Sequence, residues 1–339
     1  MIRYSYLIIL FLVFIGCTDP ETDQYNRFYF RHNNADLAVE VNGNLAGNNF
    51  ILLLHGGPGG GSYVYNYGAA ADMLEEDYAV VYLDQRGHGA SRGNYDQSDV
   101  TLQTNSDDIY ALTLFLKQKY GADINVFLLG HSWGGLTGTH ALLNTNLQNE
   151  VAGWIEVAGA HDIPLLNVEL TKMFIEIGNQ EIAADRNVSE WQERVDYAQS
   201  LDITNITFEQ SGRLNELAHS SEALLDQLAE ADEDLNFSHG LFSIPVLTVG
   251  TWFANLLSGE IYNAESEVTS LTDRLGEINV PTLLLWGRYD FVVPPALGVS
   301  ADSRIPNSEL IIFDQSAHSP MSNEPQEYVA AIKDFIERN

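Results

Sequence analysis

The stretch Leu128-Leu129-Gly130-His131-Ser132-Trp133-Gly134-Gly135 constrains this chain more than any other. It reads as an apolar strand, a sharp turn with a serine at its tip, and a helix. Val126 to Leu129 are β-branched or apolar, as a parallel strand buried on both faces requires. Gly130 and Gly134 bracket Ser132 two positions to either side, where larger side chains would collide with a strained turn. That turn would hold the serine hydroxyl above the sheet edge, within reach of a base and a substrate. Gly135 and Gly138 allow the following helix to pack closely. Ser132 is the candidate nucleophile; the plainer alternative is a strand–helix turn without chemistry.

Around this turn the chain alternates. Phe28 to Phe30 and Leu37 to Val41 predict an opening hairpin, and Phe50 to Leu54 and Ala79 to Leu83 predict strands. Ala69 to Leu74 and Ser106 to Lys119 suit helices, the second with Ile109, Leu112 and Leu116 at helical spacing. Val151 to Val157 is a further strand. After Gly159 the alternation stops, and from about His161 to Glu277 the pattern is helical. Val188 to Leu201 and Arg213 to Ala231 are amphipathic, and Leu241 to Leu257 is mostly apolar. Strands return at Pro281 to Trp286 and Glu309 to Phe313, and a last amphipathic helix covers Pro325 to Ile336. The expected fold class is α/β, a mostly parallel sheet with helices on both faces and an inserted all-helical cap. Residues 28–160 and 278–339 would form the core and 161–277 the cap, within a length of 339 residues that suits one large domain with an insertion.

An activated serine needs a base, and the base needs an orienting acid. In a parallel sheet the partners come from loops at the carboxyl ends of strands, here in the order serine, acid, histidine. Asp290 follows the strand ending at Trp286, and His318 follows the strand ending at Phe313. They are the candidate acid and base. A turn aspartate and a helix-entry histidine are the plainer alternatives, and Asp162 is the second choice of acid. His131 lies inside the turn and is expected to point away from the nucleophile, while His88, His140 and His161 precede the position the order requires. Charge developing on a substrate oxygen needs preorganised N–H donors. Trp133, next to the nucleophile, and Gly57, in the loop His55-Gly56-Gly57-Pro58-Gly59-Gly60-Gly61, are the candidates.

Together these pieces resemble the α/β-hydrolase superfamily, and more narrowly the prolyl iminopeptidase family of serine aminopeptidases. His55-Gly56-Gly57-Pro58-Gly59 is similar to that family's oxyanion loop, and Asp84-Gln85-Arg86-Gly87 through Ser91 to its second loop. Gly130-His131-Ser132-Trp133-Gly134-Gly135 resembles its elbow, with His131 in place of a glycine. Gly287-Arg288-Tyr289-Asp290 and His318-Ser319-Pro320 match the acid and base segments. The resemblance implies an exopeptidase that releases an N-terminal residue, often proline, from short peptides through an acyl-enzyme. It also implies that cap carboxylates bind the substrate ammonium. Glu169, Glu176 and Glu209 are candidates for that role, although no cap motif aligns. Trp252 and Phe253 either roof the pocket or belong to the lid's own core. An esterase, amidase, lactonase or carbon–carbon bond hydrolase is the alternative, and an inactive binding lipoprotein a third. No P-loop, dinucleotide fingerprint or metal-ligand cluster stands out, so no cofactor or metal is expected.

With 47 acidic and 16 basic residues the net charge is −31, which argues against nucleic acid or anionic lipid surfaces as partners. An acidic, solvated surface is the plain reading; cationic substrates or a salty habitat are compatible with it. The single cysteine, Cys17, excludes an internal disulfide and a cysteine-based metal site. Arg3, an apolar run from Tyr6 to Ile15 and then Gly16-Cys17 resemble a bacterial lipoprotein signal. Residues 1–16 would be removed, Cys17 lipidated, and residues 17–27 would tether the enzyme to an envelope membrane, at the outer membrane or cell surface. An ordinary secretory signal is the alternative.

Overall fold

Among the described residues a nine-stranded sheet runs in the order β1-β2-β4-β3-β6-β7-β8-β9, with the two-residue strand β5 (Arg92–Gly93) beside β2. The computed structural model describes residues 26–228 and 269–339. The signal segment, Cys17 and the Leu241 to Leu257 stretch with Trp252 and Phe253 lie outside the described residues. Among the described residues no helix is long and apolar enough to cross a membrane.

The opening hairpin pairs β1 (Asn26–His32) with β2 (Ala35–Gly43). Asn33 and Asn34 both have positive φ, the type I′ geometry whose twist matches the flanking strands. β1 alternates between half-buried and exposed residues, as an edge strand does. The central strands β3 (Asn49–Leu54), β4 (Ala79–Leu83), β6 (Asn125–His131), β7 (Gly153–Val157) and β8 (Thr282–Gly287) are almost wholly buried and pair in parallel, as does β9 (Ser308–Phe313) on β8.

Alternate residues of these strands feed two cores. Ile51, Val80, Phe127, Ile155 and Leu283 pack under α1 (Ala69–Asp77) and a C-terminal helix, Pro325–Arg338. Leu52, Val81, Leu128, Trp154 and Leu284 face the other way, toward α2 (Leu102–Tyr120), α3 (Trp133–Asn144) and the inserted helices. α2 begins four residues earlier than the apolar spacing predicts, because Thr101 and Thr104 form a reciprocal capping box.

Between β7 and β8 come α4 (Ile163–Ala183), α5 (Val188–Ser200) and α6 (Phe208–Ser221). The helix expected over Arg213 to Ala231 is shifted toward the N-terminus. A capping box at Thr207 and Gln210 starts it early, and it gives way to a 3-10 turn at Glu222–Leu224. The two ends of the inserted segment are stapled together where they leave the sheet. Ile163 N–H donates to Thr269 O, Leu271 N–H donates to His161 O, and Ser270 Oγ donates to Asp162. After β8 follow α7 (Ala296–Asp302), the short α8 (Pro320–Asn323) and the C-terminal α9 (Pro325–Arg338).

The Asp84-to-Ser91 loop is a scaffold. Arg86, 1% exposed, donates from Nε and Nη2 to Asp108 on α2 at 2.7 Å each, and also to the His32 and Asn33 carbonyls of the hairpin turn. Removing one partner of a buried pair leaves the other charge uncompensated, at a cost of about 3–5 kcal/mol. Arg86→Ala is therefore expected to lower unfolding free energy by roughly that amount, as read by urea denaturation. A loss under about 1 kcal/mol would show that the pair holds nothing together.

Candidate active site

Ser132 stands between β6 and α3 with φ 57° and ψ −117°. A non-glycine residue there is strained by on the order of 1–3 kcal/mol. Hydrogen bonds hold it: Ser132 N–H donates to Val157 O at 2.9 Å, and Gly135 and Ala160 N–H donate to Ser132 O at 2.9 and 3.0 Å. The bracketing glycines are required by close approach. A Cβ at Gly130 would lie 2.3 Å from Gly134 O, and one at Gly134 would lie 2.1 Å from Leu54 O.

Ser132 lines a cavity of about 630 Å³ together with His318, Gly57 and Trp133. Gly57 has φ 151° within the glycine loop that follows β3. The inserted helices line the cavity with Ile163, Leu166, Asn167, Phe208, Ser211 and His219, and Val292 and Val293 come from the loop after β8. The structure thus gathers four of the five residues singled out from sequence at one cavity.

The fifth, Asp290, is fully buried behind His318. Its two carboxylate oxygens lie 3.0 and 3.1 Å from His318 Nδ1, and Val293 N–H donates to Oδ1 at 2.7 Å. Burial weighs against charge on both groups. It pushes the His318 imidazole down, so the ring rests neutral. It pushes Asp290 up, against the pull of the Val292 and Val293 N–H groups. The neighbouring Phe291 stacks on Phe174 of α4 and lies 5.5 Å from the Trp191 ring of α5, which ties the acid loop to the inserted helices. Asp162, the second choice of acid, is occupied elsewhere: it caps α4 by accepting Leu165 N–H.

Three residues here escaped sequence reasoning. His131 does not point away from the nucleophile. It lines the cavity, its ring is 4.6 Å from that of His318, and its Nε2 is 2.8 Å from His318 O. Tyr65, which carries no motif, bonds His131 Nδ1 at 2.7 Å. Glu222 accepts the backbone N–H of His318 at 3.1 Å, and burial together with the Asp290 charge raises its carboxyl to about 8. Glu169, Glu176 and Glu209 do not line the cavity. Glu169 pairs with Lys172 at 2.6 Å, and the other two are exposed, because the apolar faces of α4 and α6 turn inward. No group of three metal-ligating side chains occurs among the described residues.

A family model described as the alpha/beta hydrolase fold matches residues 49–325. A proline iminopeptidase of Saccharolobus solfataricus is 28% identical over 302 residues, covering 86% of each chain. Among solved structures, a proline iminopeptidase-related protein of Thermus thermophilus superposes with TM-score 0.63 at 22% identity, covering 92% of this chain and 98% of that one. An esterase from Exiguobacterium antarcticum superposes with TM-score 0.58 at 19% identity, covering 89% and 96%. These two likenesses establish a shared fold.

The elbow makes a stability prediction with its own control. Gly134→Ala forces a Cβ into backbone and should cost about 1–3 kcal/mol or more. Gly212→Ala in α6, where a Cβ meets nothing within 4 Å, should be neutral or stabilising by ~0.5–1 kcal/mol. Thermal unfolding of the two variants checks this; equal effects would contradict the close approach at the elbow.

Proposed function

Because this chain belongs to the α/β-hydrolase fold family, we propose that it is a serine hydrolase working through an acyl-enzyme, and specifically an aminopeptidase that releases proline or another small N-terminal residue from short peptides. The observation that carries this reading is the convergence of Ser132, the His318–Asp290 pair and the glycine loop on one roofed cavity. Similarity to proline iminopeptidases along most of the chain supports the peptidase choice.

In the proposed reaction Ser132 Oγ attacks the scissile carbonyl as His318 Nε2 takes its proton. Asp290 accepts the Nδ1–H, which fixes the tautomer, and stabilises the imidazolium as it forms. The Gly57 and Trp133 backbone N–H groups receive the oxyanion. His318 returns its proton to the leaving amine, and water then cleaves the acyl-enzyme by the same route. The inserted helices roof the cavity, which favours short peptides over proteins.

A second reading, an esterase, amidase, lactonase or carbon–carbon bond hydrolase, draws on one observation. The polar side chains that the inserted helices add to the described cavity lining are Asn167, Ser211, Asn215 and His219, with no carboxylate among them. Under the peptidase reading the substrate ammonium needs an anion; Glu222, which the inserted segment brings against His318 and which burial holds protonated in the free enzyme, would ionise as it pairs with that ammonium.

Cleavage of proline p-nitroanilide, its N-acetyl derivative and p-nitrophenyl acetate separates the readings, with Ser132→Ala as control. The aminopeptidase reading expects Ser132-dependent release from the free amine and none from the acetylated anilide. Ester turnover alone would overturn it. Glu222→Gln, whose amide oxygen can still accept the His318 N–H, should raise KM for the free-amine anilide by roughly 10-fold or more, the loss of one charge-assisted contact, and leave the ester unaffected. The envelope anchor is a separate proposal from residues 1–17 of the sequence. Cys17→Ser should abolish incorporation of a clickable fatty acid in bacterial cells, and retained label would refute it.

A further inference from the structure

Four groups, from two loops and the end of β6, join in a single chain of hydrogen bonds beside the cavity. Gly56 N–H donates to Tyr65 Oη at 2.9 Å, Tyr65 Oη lies 2.7 Å from His131 Nδ1, and His131 Nε2 lies 2.8 Å from His318 O. The proton positions follow from the ends. A carbonyl only accepts, so His131 Nε2 carries a hydrogen. A backbone N–H only donates, so Tyr65 Oη accepts from Gly56 and gives its own proton to His131 Nδ1. The imidazole is then neutral, since a second ring proton would leave the Tyr65 hydroxyl proton without its acceptor at Nδ1. Burial acts in the same sense, pushing His131 down to about 3.

We propose that Tyr65 and His131 form a strut that fixes the base loop at His318 and the oxyanion loop at Gly56–Gly57 in one relative position. The strut ties together the parts that must act at the same moment. His318 is gripped at both ends, its C=O by His131 and its N–H by Glu222. Close packing alone does not hold the two side chains. Both also line a second cavity of about 280 Å³, bounded by Ile51, Leu53, Leu129 and Tyr328, so each borders open space at two cavities. Hydrogen bonds therefore set their orientation. Tyr65 and His131 are positioning residues, and their role rests on the serine-hydrolase reading.

The test uses the whole protein and p-nitrophenyl acetate. Tyr65→Phe keeps the ring and removes both bonds of its hydroxyl. His131→Leu removes the strut, and His131→Gln restores an N–H donor toward His318 O. A base displaced by about 1 Å loses on the order of 100-fold in rate. We expect kcat to fall roughly 10- to 100-fold in Tyr65→Phe and His131→Leu with KM within about twofold, and His131→Gln to recover most of the loss. Unchanged kcat in Tyr65→Phe, a loss carried by KM, or no recovery by His131→Gln would overturn the strut. Turnover that survives Ser132→Ala would instead overturn the serine-hydrolase reading. Nitrogen-15 NMR of His131 reads the tautomer independently of any substrate: a neutral Nε2–H ring supports the strut, and a charged or Nδ1–H ring refutes it.

Discussion

The backbone of Ser132 is held where serine does not rest by choice, and the surrounding structure is arranged to keep it there. Its carbonyl accepts from Gly135 and Ala160, and its N–H donates to the end of β7. The turn closes only because Gly130 and Gly134 bring backbone within a distance no side chain tolerates. Strain of this kind persists when neighbours over-determine it. Here β3, β6 and β7, paired in parallel register, supply those neighbours.

Around that turn, much of the most motif-like sequence does structural rather than chemical service. Asp84 accepts from Ser62 N–H, Ser62 Oγ and Ala90 N–H, and Gln85 brackets His55 by bonding its ring and its carbonyl. With Arg86 bound to Asp108, the loops after β3 and β4 form one rigid rim. Such a rim lets the glycine-rich loop at Gly56–Gly61, the proposed oxyanion loop, hold a fixed shape without side chains of its own. Preorganised donors are effective because they need no rearrangement as charge develops.

What was legible in the sequence had short-range causes. Buried parallel strands announce themselves as apolar runs, and the elbow by glycines whose spacing is imposed by contact. That Asp290 and His318 would meet was legible because strand ends fix where loops emerge. Tyr65 was not: its role depends on a bond to His131, 66 positions away, and no local pattern encodes that. His131 was misread because its neighbours in the chain suggest a direction that its hydrogen bonds reverse. Glu222 lies at a helix end whose position the apolar period misplaced, and Glu169, Glu176 and Glu209 face solvent or a lysine. Tertiary contact outweighed periodicity in each case.

The account depends on Ser132 being the nucleophile that this strained turn presents. The most direct measurement is to treat the purified protein with a fluorophosphonate, digest it and locate the adduct by mass spectrometry. The account predicts one adduct per chain, on the peptide containing Ser132, and no labelling after prior unfolding. Labelling at another serine, or an unreactive Ser132 in the folded protein, would contradict it.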